Sequence, residues 1–153
     1  MPLEPGIGLY LKVLSKALEQ YANNQLQTRN LTFSQSKLLM VLGDCTDHTA
    51  SLKELEEAFH SAQSTVCGIV SRMEKKGLVQ ALPSGTDRRV KRIALTPAGE
   101  TLREECVSDI LDSERWISAG LTQEENLLMR QLLEKICAEK WSSGAIGPEQ
   151  KPD

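Results

Sequence analysis

The 153-residue sequence is poor in aromatic side chains and contains no long hydrophobic run. Phenylalanine, tryptophan and tyrosine together make up 4% of it, and no stretch of 18 apolar residues occurs, so no membrane-spanning helix is predicted. The N-terminus lacks a basic segment followed by an apolar stretch, so we predict no signal peptide and a cytoplasmic location. Hydrophobic residues nevertheless make up 40% of the chain, which is enough to bury a core.

Cysteine and histidine are scarce and scattered. The four cysteines, at positions 45, 67, 106 and 137, form no C-x-x-C pair and do not cluster with His48 or His60. We therefore expect free thiols rather than a disulfide framework, and neither a metal site nor a cofactor. The sequence contains no Ser–His–acid set, no G-x-S-x-G and no phosphate-binding loop, so an enzyme is not expected.

The net charge of −3 argues against a nucleic-acid ligand, but the charge is unevenly distributed. Residues 61–96 contain seven basic and two acidic side chains, a net charge of +5, so the rest of the chain carries −8. A basic segment on an acidic protein offers one attractive face to a polyanion. The alternative is an ordinary solvated surface.

Apolar spacing and capping signals predict a mainly α fold with a small β-hairpin wing (α+β). Capping boxes are predicted at Thr32, Ser51 and Thr122, Ser61 is predicted to cap a further helix, and residues 44–50 are predicted to be a loop. This order is that of a winged helix-turn-helix with an added helix at each end. The predicted helices cover residues 7–27, 32–43, 51–59, 61–76, 97–119 and 122–141, and the strands cover 78–83 and 90–96.

The two outer helices carry apolar stripes that nothing obvious in the same chain covers. A second copy of the chain is the simplest cover, because most soluble oligomers are symmetric. We therefore predict a helical dimerisation region at residues 1–31 plus 97–141, a DNA-binding winged helix-turn-helix at 32–96, and a flexible tail at 142–153.

The helix predicted at 61–76 is unusual for an acidic protein because its outward side chains are short, polar and almost free of carboxylates. Small side chains and hydrogen-bonding tips suit a helix that lies in the major groove of DNA. The alternative is a solvent-facing helix of low charge. The residues predicted to contact DNA from this helix are Ser61, Gln63, Ser64, Thr65, Gly68, Ser71 and Arg72.

The hairpin that follows is basic, and an arginine at a β-tip can enter the minor groove, where the potential is most negative. Asp87 would hold an arginine in place, although a solvated turn with a local Asp–Arg pair would look the same. The predicted wing contacts are Asp87, Arg88, Arg89, Lys91 and Arg92, and the predicted DNA-backbone contacts are Thr32, Ser34, Gln35 and Lys75.

Residues 32–103 resemble the MarR family of bacterial regulators. The matching segments are Leu-Thr-Phe-Ser-Gln at 31–35, the stretch 64–79 that begins Ser-Thr-Val and ends Arg-Met-Glu-Lys-Lys-Gly-Leu-Val, Asp-Arg-Arg at 87–89, and Leu-Thr-Pro-Ala-Gly at 95–99. The resemblance implies a homodimer with intertwined end helices and one recognition helix per subunit. It also implies that Arg89 enters the minor groove while Asp87 braces it.

The resemblance further implies repression of transcription that a ligand or an oxidant relieves. A small aromatic or phenolic effector is the expected ligand, in a pocket near residues 9–18 and 38–42. Two alternatives remain open: a regulator of the same fold that senses oxidants through a cysteine such as Cys67, and a winged-helix module that binds an acidic protein.

Overall fold

The computed structural model describes residues 4–83 and 91–147, and within these ranges the chain forms six α-helices and three short strands. The predicted fold class, mainly helical with a β-hairpin wing, is confirmed. The helices are α1 (Ile7–Thr28), α2 (Phe33–Asp44), α3 (Leu52–Phe59), α4 (Gln63–Lys75), α5 (Pro97–Ile117) and α6 (Gln123–Ser142); the strands are β1 (Thr49–Ser51), β2 (Val79–Pro83) and β3 (Lys91–Leu95).

Three helices begin with the capping boxes that the sequence predicts, at Thr32, Ser51 and Thr122. In each box the cap hydroxyl accepts a hydrogen bond from the backbone N–H three residues later. The side chain of that later residue accepts one from the N–H of the cap. Both bonds satisfy donors that a helix start otherwise leaves without partners. These local signals fix the starts of α2, α3 and α6.

The start of α4 differs from its prediction. The N-cap is Ala62 instead of Ser61, and no side chain caps the helix. The Ser61 hydroxyl instead donates to the carbonyl of Phe59 at 3.0 Å, at the end of the preceding helix. His60 turns the chain between the two helices in a left-handed conformation, with a φ of 47°. Ser61 therefore stabilises the turn between the helices and does not cap α4.

The predicted loop at 44–50 contains a strand that the sequence does not reveal. Thr49–Ser51 pairs antiparallel with β3, with Ala50 opposite Ile93, and the sheet order is β1-β3-β2. Both Ala50 and Ile93 are buried. A three-residue segment has too short a pattern to predict a strand, and it becomes one because β3 supplies its hydrogen-bonding partner.

The core lies where α2, α3 and α4 pack against one another and against the sheet. The predicted inward face of α4, formed by Val66, Ile69, Val70 and Met73, is buried as expected. This packing fixes which face of α4 is left for solvent or a partner. The largest side chains that are almost wholly buried are Leu38, Leu39, Leu42, Leu55, Val66 and Met73.

The chain divides into two compact units, residues 1–114 and 115–153. The second unit contains α6, which has no buried residue. None of the helices in the described ranges combines the length and hydropathy that a bilayer-spanning segment requires. The end of the predicted flexible tail, residues 148–153, lies outside the described residues, and the predicted division into DNA-binding and dimerisation regions stays a prediction.

Candidate nucleic-acid interface

The outward face of α4 is polar and carries no carboxylate over its first eleven residues, 63–73. Gln63, Ser64 and Thr65 are exposed on its first turn, and Ser71 and Arg72 are exposed two turns later. The first turn has neither an acidic residue nor a side-chain cap. The face therefore presents hydroxyl, amide and guanidinium groups together with the uncapped positive end of the helix dipole.

Gly68 and Arg72 determine the shape of this face. A Cβ atom added at Gly68 would lie 3.7 and 3.8 Å from the two terminal nitrogens of Arg72. The guanidinium of Arg72 therefore lies back along the helix, over the bare backbone at Gly68. It lies on the exposed face of the helix.

The C-terminal end of α4 is joined to the start of α5. Gly77 has a φ of 71°, in the left-handed region that suits glycine, and the N–H of Leu78 donates to the carbonyl of Met73 at 3.0 Å. The Thr96 hydroxyl donates to the carbonyl of Gly77 at 2.7 Å and accepts from the N–H of Gly99 at 3.1 Å. These bonds fix the direction in which α4 ends.

Gly99 makes the closest of these contacts. A Cβ atom there would lie 2.0 Å from the backbone oxygen of Leu78, so only glycine fits without a shift of the backbone. Two segments that are separate in the sequence therefore pack together where α4, β2 and α5 meet. They are Gly-Leu-Val at 77–79 and Leu-Thr-Pro-Ala-Gly at 95–99.

The basic side chains of the interface have different surroundings. Lys75 is exposed at the last residue of α4, and Lys91 is exposed at the first residue of β3. Arg92 is not exposed in this way: its guanidinium donates to the hydroxyl and the carbonyl of Thr49, both at 3.2 Å, and lies 3.6 Å from Glu54. Arg92 thus has one partner on β1 and another on α3, and neither was predicted from the sequence.

The tip of the wing, which joins β2 to β3, lies outside the described residues. The predicted contacts of Asp87, Arg88 and Arg89 fall there. The strands that carry the tip are described, and they pair from Val79 opposite Leu95 to Pro83 opposite Lys91.

The start of α2 holds the other predicted backbone contacts. Thr32 and Ser34 are exposed, but Gln35 is buried, with 5% of its surface accessible. The amide oxygen of Gln35 accepts from the Thr32 N–H at 3.3 Å and from the Lys76 ammonium at 2.9 Å. Gln35 therefore has an internal role in its capping box, and its position does not favour the predicted contact with DNA.

A cavity of about 370 Å³ lies within the first unit. The sequence predicts a pocket near residues 9–18 and 38–42, in the first two helices. Both helices line the observed cavity, but residues 9–18 of α1 do not. The cavity lies beside the C-terminal half of α1, and α5 supplies a wall that was not predicted. Its lining is formed by Ala22, Gln25, Leu26, Phe33, Ser36, Lys37, Met40, Cys106, Asp109, Ile110 and Ser113.

One side of the cavity is held by an ion pair between α1 and α5. Arg29, the C-cap of α1, donates to both carboxylate oxygens of Asp109 at 3.0 and 3.1 Å and to Glu105 at 2.9 Å. The hydrogen bond with Asp109 raises the pKa of the Arg29 guanidinium above its ordinary value. The carboxylate of Asp109 is therefore already paired.

The cysteines are all free, as predicted. Burial raises the pKa of the Cys106 thiol in the cavity wall and that of Cys45, which lowers the thiolate fraction on which oxidation depends. Cys67 is half-buried on α4. The described residues contain no group of three or more His, Cys, Asp or Glu that could hold a metal ion.

A helix-turn-helix formed by α3 and α4, followed by a β-hairpin, defines the winged-helix class of DNA-binding proteins. Comparison with known proteins agrees: the model of the MarR family matches residues 29–90. An uncharacterized HTH-type transcriptional regulator of Bacillus subtilis, YsmB, is 32% identical over 119 residues, which cover 78% of this chain and 75% of YsmB. The chain therefore belongs to the MarR family, and it is a DNA-binding transcriptional regulator.

Two further relatives have names that state how they act. The homoprotocatechuate degradative operon repressor of Escherichia coli is 28% identical over 125 residues, covering 80% of this chain and 82% of the repressor. BpsR of Bordetella bronchiseptica, whose DNA binding is regulated by 6-hydroxynicotinic acid, is 26% identical. Its structure matches with a TM-score of 0.63 over 86% of this chain and 98% of that one.

Proposed function

We propose that this chain is a transcriptional repressor that binds a pseudo-palindromic operator as a homodimer and is released by a small aromatic or phenolic molecule. The observation that carries the proposal is the outward face of α4, which is polar, small in side chains and free of carboxylates from Gln63 to Met73. A helix that faced only solvent on an acidic protein would gain nothing from that composition. The Escherichia coli repressor supports the direction of regulation.

The groups on α4 match the edges of base pairs in the major groove. A glutamine amide can bind adenine with two hydrogen bonds, an arginine can bind guanine, and hydroxyl groups bind bases or phosphates. Gly68 keeps the middle of the helix narrow enough to enter the groove. We assign these roles to Gln63, Ser64, Thr65, Gly68, Ser71 and Arg72. We keep Ser61, which precedes α4, because its hydroxyl donates to Phe59 but can still accept a hydrogen bond from the DNA.

The backbone contacts that we propose come from exposed groups beside α4. They are Lys75 at its end, Lys91 on the wing, and the hydroxyls of Thr32 and Ser34. Gln35 and Arg92 are left out because their side chains are held by internal partners. For the wing tip we keep the roles that the family resemblance implies: Arg89 in the minor groove, Asp87 bracing it, and Arg88 beside them.

The homodimer is supported by apolar side chains that the single chain leaves exposed. No residue of α1 is buried, and Ile7 is 67% and Val13 58% exposed. In the second unit, Leu127 of α6 is 58% exposed. Exposed apolar surface on this scale marks a protein interface. A second copy is the occupant we propose, because a symmetric pair can place its two recognition helices in successive major grooves.

The effector is supported by the cavity beside α1, α2 and α5. Its volume suits a small ring-containing molecule, and its walls are mainly apolar. BpsR provides a probe, 6-hydroxynicotinic acid. Ser36→Phe should fill the cavity and prevent any release of DNA by the probe, whereas Ser108→Phe, outside the lining, should leave the response unchanged. Equal responses of both variants would place the effector elsewhere.

A salt titration tests the proposed ligand against a protein-binding alternative. If the dimer neutralises about 6–10 phosphates, its affinity for duplex DNA should fall roughly 10³–10⁵-fold between 50 and 200 mM salt. A winged-helix module that binds an acidic protein would show no duplex binding at low salt.

The wing has its own test. Arg89→Ala should weaken binding to every duplex tested, because a charge in the minor groove contributes to affinity whatever the sequence. Unchanged affinity would remove the wing from the interface.

A further inference from the structure

Lys76, at the C-cap of α4, reaches the turn between α1 and α2. Its ammonium donates to the backbone carbonyl of Asn30 and, at 2.9 Å, to the amide oxygen of Gln35. These acceptors lie 46 and 41 residues earlier in the sequence. The contact therefore fixes one end of the proposed recognition helix to a distant part of the fold.

Both acceptors are held rigidly. The Gln35 side chain is buried and is also committed to its capping box with Thr32. Asn30 lies in the left-handed region, with a φ of 53°, and its N–H donates to the carbonyl of Gln27 at 3.0 Å. The ammonium of Lys76 therefore meets two preformed acceptors, and its charge makes both bonds stronger than neutral ones.

The neighbouring lysine shows a different arrangement. Both lysines are exposed, but within the described residues Lys75 makes no side-chain hydrogen bond or ion pair. Two of the three N–H donors of the Lys76 ammonium form hydrogen bonds within the protein. The two residues carry the same charge in adjacent positions, but Lys76 is bonded to the protein, whereas Lys75 keeps all three of its donors for a phosphate.

The turn that Lys76 contacts connects two helices that line the cavity. Leu26 of α1 precedes the turn and Phe33 and Ser36 of α2 follow it, and all three line the cavity. Lys76 approaches the same turn from α4. The end of α4 is thus bonded to the connection between these two helices.

We propose that Lys76 is a positioning residue for DNA binding, which holds the end of α4 on the α1–α2 turn and does not neutralise a phosphate. The role rests on the proposed function, since it presumes that α4 binds DNA. It predicts that loss of the ammonium weakens binding through the position of α4 and not through the number of phosphates contacted.

Two matched variants of the full chain, Lys76→Met and Lys75→Met, remove one charge each. Their affinities for a duplex enriched from a random-sequence pool are measured by fluorescence anisotropy between about 50 and 200 mM salt. The slope of log affinity against log salt concentration should become shallower by roughly one per bound protomer in Lys75→Met. Lys76→Met should lower affinity by roughly tenfold at each salt concentration, with the slope of the wild type.

Two further variants test the mechanism. Lys76→Arg, which keeps the charge and the donors, should restore most of the affinity. Gln35→Met removes the side-chain acceptor of Lys76 together with the capping-box bond from Thr32. It should weaken binding in the wild type, and the loss should be smaller in the Lys76→Met background.

A slope that falls in Lys76→Met as it does in Lys75→Met would make Lys76 a phosphate contact and overturn the positioning role. Unchanged affinity in Lys76→Met would overturn it as well. If the wild type bound no duplex, the proposed function itself would fail, and the role of Lys76 with it.

Discussion

The outward face of α4 and the outward face of α1 are both exposed, yet they have opposite chemistry. From Gln63 to Met73 of α4 the exposed side chains are amide, hydroxyl and guanidinium groups, and Val66, Ile69, Val70 and Met73 are buried. On α1 the exposed set includes Ile7, Leu11, Val13 and Leu14, and no residue of the helix is buried.

The difference shows that the two faces suit different partners. A polar face free of carboxylates loses little when it leaves water for a groove lined with hydrogen-bonding groups, whereas an apolar face gains free energy only when another apolar face covers it. We therefore assign DNA to α4 and a second copy of the chain to α1. Each assignment can be broken separately.

The largest effect is expected from a charge on the apolar face. Leu14→Glu should weaken the dimer by about 3 kcal/mol or more per buried carboxylate, which is roughly 100-fold or more in the dissociation constant. DNA affinity should fall with it, because a single protomer contacts only one half-site. Sedimentation velocity at several concentrations measures the dimer, and Lys12→Glu on the same helix is the control. A stable Leu14→Glu dimer would exclude this face as the interface.

The next effect concerns the joint that fixes α4. Gly99→Ala should destabilise the fold by about 3 kcal/mol, because the added Cβ would lie 2.0 Å from the backbone oxygen of Leu78. Gly8→Ala in α1 is the matched control: no described atom lies within 4 Å of its Cβ, and it should be neutral or slightly stabilising. Equal unfolding midpoints in urea would show that the joint tolerates a side chain.

A smaller and more selective effect is expected on α4 itself. Gln63→Ala should change the preference among operator variants by roughly 1–3 kcal/mol at one base pair and leave the dimer intact. Quantitative binding to single-base-pair variants measures it. If specific and random duplexes lost the same affinity, Gln63 would contact the DNA backbone and not a base.

The smallest effect is expected from the ion pair between Glu100 and Arg103 on α5, which lies on neither of these faces. The hydrogen bond from Arg103 lowers the pKa of Glu100, so this pair stabilises the fold above the ordinary glutamate pKa and is lost as the pH falls through the lowered one. Glu100→Gln should remove no more than about 1 kcal/mol at neutral pH, since the pair is partly exposed. Urea unfolding at pH 7 and pH 3 checks this: the variant should differ from the wild type only at the higher pH.

The helices could be predicted from the sequence because their signals are local. Three capping boxes and the spacing of apolar residues act within a few positions of one another, and these set the starts of α2, α3 and α6. Ser61 misled the prediction because its hydroxyl could either accept from a backbone N–H of the next helix, as a cap does, or donate to a carbonyl of the preceding one. It donates to Phe59.

The features that the sequence does not show depend on contacts between distant residues. Arg92 meets Thr49 across 43 positions, and Gln35 meets Lys76 across 41. Charge pattern alone could not show that Arg92 is held internally or that Lys76 differs from Lys75. The strand β1 and the α5 wall of the cavity were missed for the same reason, since each arises from packing between segments far apart in the chain.

Selection of bound duplexes from a random-sequence pool tests the central claim most directly. We expect enrichment of a pseudo-palindrome whose half-sites lie about 10 base pairs apart, because two copies of α4 would read successive major grooves. Enrichment of a single, non-repeated half-site, or of no sequence at all, would contradict it.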